Sequence, residues 1–400
     1  MKLLAYILPA LIAALLPDIQ AQSSRPVRCA TDELSRAELR LHPERAHEVA
    51  ALETAYRHHI QQPALREETE CEVYIIPTVV HIIYEDESSN LSDEQVLSQF
   101  EVLNQDYRRV FGSPGYGNGV DMHIQLCLAS VDPQGQPTTG ITRTQSTLTR
   151  HNSANDQALK DLIRWDPERY LNIWVVKSIG MGAGNTLGYT YLPGTVPRER
   201  DGVVITGKYV GTTGTATPPY NHGRTLTHEV GHFLGLHHTF REEGACSDTS
   251  EADCLLAGDK VCDTPTELEP KYFCPDETNS CREFPCDQPD PIHNYLNYVD
   301  DVCMNEFTAG QKMRALQFLR EYRALLISRE NLQATGCAGM PIRHPRPEAR
   351  FRASSTAVCV GSKVSFEDRS EGCVQARMWE FPGAEPEVST AAKPTVTYSA

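Results

Sequence analysis

A chain of 400 residues is long enough for two or three full-sized domains. Charged residues at 22% and hydrophobic ones at 40% give the balance of a globular chain and exclude a disordered one. A net charge of -16 excludes nucleic acid and anionic membrane surfaces as partners, because both reward a basic face.

Lys2, the apolar run Leu3 to Leu16 and the small residues around Ala21 form a secretory signal peptide over 1–21, with cleavage after Ala21 or Ser23. The run is short for a membrane span and carries Pro9, so no membrane insertion is expected after cleavage, and the compartment is extracellular. Thirteen cysteines suit an exported, oxidised chain, and their odd number leaves one over. Residues 22–70 are polar and helix-leaning, with Thr31 and Glu33 at a helix start and too few large apolar residues for a core of their own. They read as a pro-segment or helical arm.

From 71 to 337 the pattern is that of an α/β domain. "VYIIPTVVHIIYED" is a buried strand. "LSDEQVLSQFEVLNQDYRRV" is an amphipathic helix presenting Val96, Phe100, Leu103 and Tyr107, with Ser92 as N-cap. "MHIQLCLASVD" is a strand, "NDQALKDLIRW" a helix, "YLNIWVVKSIG" a strand, "NTLGYTYLP" a short strand ended by Pro193, and "DGVVITGKYV" a further strand. Residues 241–303 are loop-rich and acidic with seven cysteines, and 308–328 close the domain as a helix. A Pro-rich linker over 338–348 leads to residues 349–400, whose short alternating strands spell a small β-sandwich.

"RTLTHEVGHFLGLHHTF" carries the chemistry. His228 and His232 stand at i and i+4 on a helix, so both imidazoles face one metal ion. Gly235 ends the helix at positive φ and turns the chain, bringing His238 back under the metal. That spacing selects His238 as third ligand and leaves neighbouring His237 to pack or hydrogen-bond. His222 and His81 read as structural. Three neutral imidazoles on Zn2+ leave a fourth position to water, whose pKa falls toward ~7. Glu229 stands beside that position to take the proton and pass it to the leaving nitrogen. The reaction class is peptide-bond hydrolysis without a covalent intermediate, acting on protein or peptide substrates.

These residues resemble the metzincin metallopeptidases, and within them the pappalysin group. "GRTLTHEVGHFLGLHHTF", "GDKVCDTP" and "DPIHNYLNYVDDVCMNEFTAGQKMR" look like that family's blocks in order, and the likeness runs from about residue 25 to 337. The resemblance implies a metzincin-type zincin domain of α/β (α+β) class, with a mixed sheet and an active-site helix. It places Leu296 where the family has a methionine beneath the zinc, with Met304 outside the turn, and makes Tyr298 the stabiliser of the oxyanion. "VRCAT" resembles the latency motif in which Cys29 takes the fourth zinc position, Ala30 standing where the family has glycine; the alternative pairs Cys29 with Cys71 or another cysteine. The likeness also implies a Cys274–Cys303 bridge, and Cys359 is expected to pair with Cys373 in the small domain.

Asp259, Asp263, Thr264 and Glu267 are rich in oxygen ligands where related enzymes bind structural Ca2+; a solvated acidic loop fits the sequence equally. "NTLGYTYLP" (185–193) resembles the metzincin edge strand that pairs with extended substrate. Asp300 and Asp301 fall near the family's S1′ pocket, where they favour a basic P1′ side chain, whereas Val302 favours an apolar floor. The last segment resembles part of a PKD-type sandwich with Trp379 in its core, without the usual final strand, so the chain reads as a fragment or a truncated form of a longer protein. The leading expectation is a secreted, latent zinc endopeptidase. A catalytically impaired binding or adhesion protein is the alternative, and a zinc amidase acting on a non-peptide substrate is a third.

Overall fold

The computed structural model describes residues 27–61, 72–181, 184–240, 254–256, 258–281, 288–342, 349–356, 358–370, 374 and 376–398. The polar N-terminal segment supplies strand β1 (Val27–Cys29) and helices α1 (Thr31–Leu41) and α2 (Ala46–Ile60). The β-branched run becomes β2 (Tyr74–Tyr84), buried at every position except its two ends, as a strand covered on both faces must be. Helix α3 (Asp93–Tyr107) starts on Ser92, whose Oγ accepts the Gln95 N–H, and buries Val96, Phe100, Leu103 and Tyr107.

Strands β3 (Ile124–Leu128), β4 (Ile141–Gln145) and β5 (Arg150–Asn152), helix α4 (Asp156–Leu162), and strands β6 (Leu171–Val176), β7 (Ser178–Met181), β8 (Gly184–Thr190) and β9 (Val203–Thr206) follow. Nine strands join one mixed sheet in the order β3-β2-β6-β9-β8-β7-β5, with β4 also on β2 and β1 laid along β8. Strand β8 runs antiparallel to β7 and β9, while β1 joins it in parallel with Cys29 opposite Gly188.

Alternation along β9 shows the two faces of the sheet. Val203 and Ile205 enter one core cluster, shared with α3, the metal-site helix α5 (Arg224–Phe233) and α6 (Ala309–Tyr322). Val204 enters the other, where Ala30 and Leu34 of the N-terminal segment pack with Trp174, Tyr189 and Tyr191. The expected closing helix over 308–328 is shorter than its span, and a second helix follows beyond it. Thr308 and Gln311 form a capping box at its start, α6 ends at Tyr322, and Ser328 caps a new helix, α7 (Arg329–Ala334).

A Cys127–Cys337 bridge ties β3 to the end of this domain across 210 residues, and Cys274–Cys303 forms as expected. Replacing Cys127 and Cys337 by serine is expected to lower unfolding free energy by about 2–4 kcal/mol. A fall in the urea midpoint reads this out, and an unchanged midpoint contradicts it.

The C-terminal part is all-β. Strands β10 (Phe351–Ala353), β11 (Lys363–Asp368), β12 (Trp379–Glu380), β13 (Ala384–Glu385), β14 (Val388–Ser389) and β15 (Thr395–Tyr398) form sheets β10-β11-β15-β13 and β12-β14. Its centre is Phe381, Ala384 and Val396, against which Trp379 is half-buried. Cys359 is an exposed free thiol, so the expected bridge to Cys373 is not formed; Cys373 itself lies outside the described residues. The signal peptide and most of the Pro-rich linker also lie outside them. Among the described residues no helix is long and apolar enough to cross a membrane.

Candidate metal centre

Helix α5 is buried on all sides, and Gly223 precedes it at φ 75°. His228 and His232 therefore share one face a turn apart, as their spacing dictates. Gly235 turns the chain at φ 85°, and a Cβ there would meet the Phe318 ring at 2.7 Å, so both conformation and space demand glycine. The turn returns His238 to the same point. The Nε2 atoms of His228, His232 and His238 form a triangle with sides of 3.0, 3.1 and 3.2 Å.

The outer nitrogens fix each ring. Nδ1 of His228 meets the Tyr295 carbonyl at 2.7 Å, that of His232 meets the Leu236 carbonyl at 2.8 Å, and that of His238 meets the Asp32 carboxylate. With N–H on each Nδ1, three Nε2 lone pairs face one another in a dry interior. That arrangement repels itself unless a cation sits between them. A tetrahedral zinc with Zn–N near 2.0–2.1 Å separates its nitrogens by roughly 3.3 Å, close to the observed triangle.

Cys29 converges on the same point. Its Sγ and the three histidine nitrogens all lie within 4.8 Å of one another, and all four residues are buried. The thiol is free, which rules out a bridge to Cys71. Burial and then the charge of Glu229 push its pKa well up, and a bound dication acts in the opposite sense.

Glu229 is fully buried beside this point. Its Oε2 accepts from Thr190 Oγ1 at 3.2 Å and Thr31 Oγ1 at 3.4 Å, while Oε1 has no partner. Burial raises its pKa to about 8. Gly188 makes room for it: a Cβ at 188 would lie 3.0 Å from Glu229 Cγ.

Tyr298 donates to the Cys29 carbonyl at 2.9 Å, with its ring edge-on to His238. Asn297 Oδ1 accepts the Tyr298 N–H, and its Nδ2 donates to Glu267 at 2.8 and 3.1 Å. Leu296 is fully buried, and its methyls lie 3.2 and 3.4 Å from where a Cβ on Gly231 would stand. It therefore floors α5 between the two helical histidines. Met304 instead lies against the Arg28 guanidinium.

Among the described residues, the acidic side chains of the oxygen-rich loop are directed to separate places. Asp263 accepts from Thr308 Oγ1 and Gly310 N, both at 2.8 Å, at the start of α6, and Asp259 Oδ1 accepts from Val261 N. Glu267 braces the tyrosine turn from a third place. Among the described residues the only converging group of potential ligands is the Cys29 and histidine cluster.

His237 points away from the metal, toward Glu53 at 3.4 Å and Arg314 at 3.1 Å. His81 is fixed between Thr142 and Asn172, and burial lowers its pKa to about 4. The His222 N–H donates to Asp301. Sequence reasoning did not find Thr31, Asp32 or Thr190 at the site, nor what Arg28 does. Their only signal was proximity to Cys29 or to the edge strand.

The family model described as Pregnancy-associated plasma protein-A, peptidase M43, matches residues 152–320. An extracellular metalloprotease of Trichophyton verrucosum is 32% identical over 254 residues, spanning 62% of this chain and 79% of that protein. Extracellular metalloprotease 1 of Coccidioides posadasii is also 32% identical, over 257 residues, with 62% and 78% covered. Mature mirolysin from Tannerella forsythia, solved with a cleaved peptide, is 33% identical with a TM-score of 0.57, covering 66% of this chain and 98% of that one. A Glu-to-Ala mutant of promirolysin from the same organism is 31% identical with a TM-score of 0.60, covering 75% and 97%. The chain belongs to the peptidase M43 family, the pappalysins, and is a metalloprotease of metzincin fold.

Proposed function

We propose that the chain is a secreted zinc endopeptidase held latent by residues 22–70, which cover a catalytic domain spanning 71–337. One observation carries this reading: Cys29, Thr31 and Asp32 of the N-terminal segment each engage a group around the metal corner. Cys29 Sγ faces the three imidazoles, the Cys29 carbonyl takes Tyr298, Thr31 meets Glu229, and Asp32 holds His238. The likeness to promirolysin extends over more of the chain, 75%, than the likeness to mature mirolysin, 66%, as expected if the additional match is a pro-segment. The extracellular relatives support export through the signal peptide over 1–21. Residues 349–400 are proposed as a partial PKD-like domain.

His228, His232 and His238 would hold the zinc, with Cys29 as a fourth ligand in the latent form only. Bound zinc supplies Lewis acidity and a water acidified to about pKa 7. Glu229, buried with one oxygen that meets no donor, accepts a proton and delivers it to the leaving nitrogen. The Tyr298 hydroxyl already donates to a peptide carbonyl, that of Cys29, and would donate to a substrate's reacting oxygen in its place. Strand β8 offers its free edge to extended peptide once β1 leaves. Cleavage of an unfolded protein by the processed enzyme, stopped by a zinc chelator and restored by Zn2+, tests the reading. Chelator-insensitive cleavage contradicts it.

The pocket beside the metal also has an occupant. Arg28 is buried there, donating to Asp301 at 3.0 Å and the Val299 carbonyl at 2.6 Å beneath the Tyr220 ring. Val302 is 69% exposed and forms no floor. We assign this as the P1′ pocket with a basic preference set by Asp301. Asp301→Asn is expected to lower kcat/KM for P1′ Arg peptides by about 10- to 100-fold relative to P1′ Leu peptides. An unchanged ratio rejects the assignment.

A further inference from the structure

Glu53 reaches from α2 into the catalytic domain. Its carboxylate accepts from Arg314 Nη1 and Nη2 at 3.0 and 2.6 Å and from Lys260 Nζ at 2.8 Å. The Arg314 side chain is only 1% exposed and is held in place independently of Glu53. Its Nε donates to the Gly235 carbonyl at 2.7 Å, and its plane lies over Phe318. Asp259, the acid that remains nearby, spends Oδ1 on Val261 N, and its Oδ2 meets no donor, so it does not bond to Arg314. When the N-terminal segment leaves, the preset guanidinium fork and Lys260 lose their carboxylate together. A fork held this way binds a new carboxylate at little ordering cost.

The cluster lies in line with the peptide track. Along β8, Cys29 is opposite Gly188, and Thr31 Oγ1 accepts the Thr190 N–H. Beyond the strand, Ser35 Oγ accepts the Leu192 N–H, and α2 comes within 3.3 Å of where a Cβ on Gly194 would stand. Arg28 precedes Cys29, toward Thr186, so its pocket lies on the opposite side of the metal. A cavity of about 290 Å³ joins Leu192, His238 and the Glu53–Lys260–Arg314 cluster.

We propose that Arg314 and Lys260 form a carboxylate-binding subsite of the processed enzyme. It takes an acidic side chain of a peptide substrate on the side of the scissile bond away from the Arg28 pocket, and Glu53 is the latent form's own occupant. This rests on the peptidase reading and adds a second specificity element to it.

The test uses full chain processed by limited proteolysis after folding, with peptides that differ only by Glu or Gln at each position on that side. At one position, Glu is expected to raise kcat/KM by on the order of tenfold over Gln. Lys260→Met lowers the Glu peptide's kcat/KM more than the Gln peptide's and so brings the ratio toward unity. Arg314 is not varied, because it also holds the Gly235 turn. The same pairs, read by fluorescence anisotropy on Glu229→Ala protein, report binding without turnover, so absent cleavage with Glu-selective binding would defeat the peptidase reading and leave the subsite standing. Equal Glu and Gln values at every position in both assays overturn the proposal, as does a Glu-to-Gln ratio that Lys260→Met leaves unchanged. A synthetic 42–61 segment and its Glu53→Gln form distinguish the remaining source of carboxylate. Discrimination by that segment alone, with none among substrate peptides, also overturns the subsite.

Discussion

Glu229→Gln is expected to lower kcat by about 10²- to 10⁴-fold while the processed enzyme keeps its zinc. Glutamine keeps the volume, and its carbonyl oxygen still accepts the Thr190 hydroxyl that now meets Glu229 Oε2 at 3.2 Å. The helix and the imidazole triangle therefore stay in place, and what is lost is the capacity to hold a proton at the free oxygen. Zinc content by mass spectrometry, measured with the rate, separates this from collapse of the site. Full activity in the variant would remove Glu229 from the chemistry.

Cys29→Ala is expected to release latency. Among the described residues, Cys29 is the one residue of the N-terminal segment whose ligand atom converges with the three imidazoles. Its loss opens that corner to water. The segment does not fall away at once, because Tyr298 still donates to the backbone carbonyl at 29 and Asp32 still holds His238. The expected result is self-processing, with the segment lost on the order of 100-fold faster than from the native chain, equivalent to about 2.7 kcal/mol of contact. Time courses of the intact chain on denaturing gels read this directly. Unchanged latency would place the lock elsewhere, in the Asp32 and Thr31 contacts.

The convergence of His228, His232 and His238 was legible in sequence because their geometry is local. Two histidines at helical spacing, a glycine and a third histidine fix their own convergence without help from the fold. Tyr298 and Cys29 were legible only through family resemblance, since nothing in their own neighbourhoods brings them to the metal. The contacts that were not read are the long-range ones. Arg28 meets Asp301 across 273 residues, Glu53 meets Arg314 across 261, and Asp32 meets His238 across 206. No pattern within a segment encodes such a pair.

The fold divides in the same way. Strand β2 and helix α3 follow from apolar runs and a capping serine. Strands β4, β5 and β7 are short, and pairing with neighbours rather than any run of their own makes them strands. For the oxygen-rich loop, composition counts oxygens but does not show which N–H groups they already serve, as Asp263 serves Gly310.

Zinc-edge X-ray absorption on the intact chain and on Cys29→Ala tests the shared centre most directly. The native chain should show three nitrogen ligands near 2.0–2.1 Å and one sulfur near 2.3 Å, with the sulfur replaced by oxygen in the variant. A native spectrum without sulfur, or protein that folds with no stoichiometric zinc, would contradict a centre built from His228, His232, His238 and Cys29.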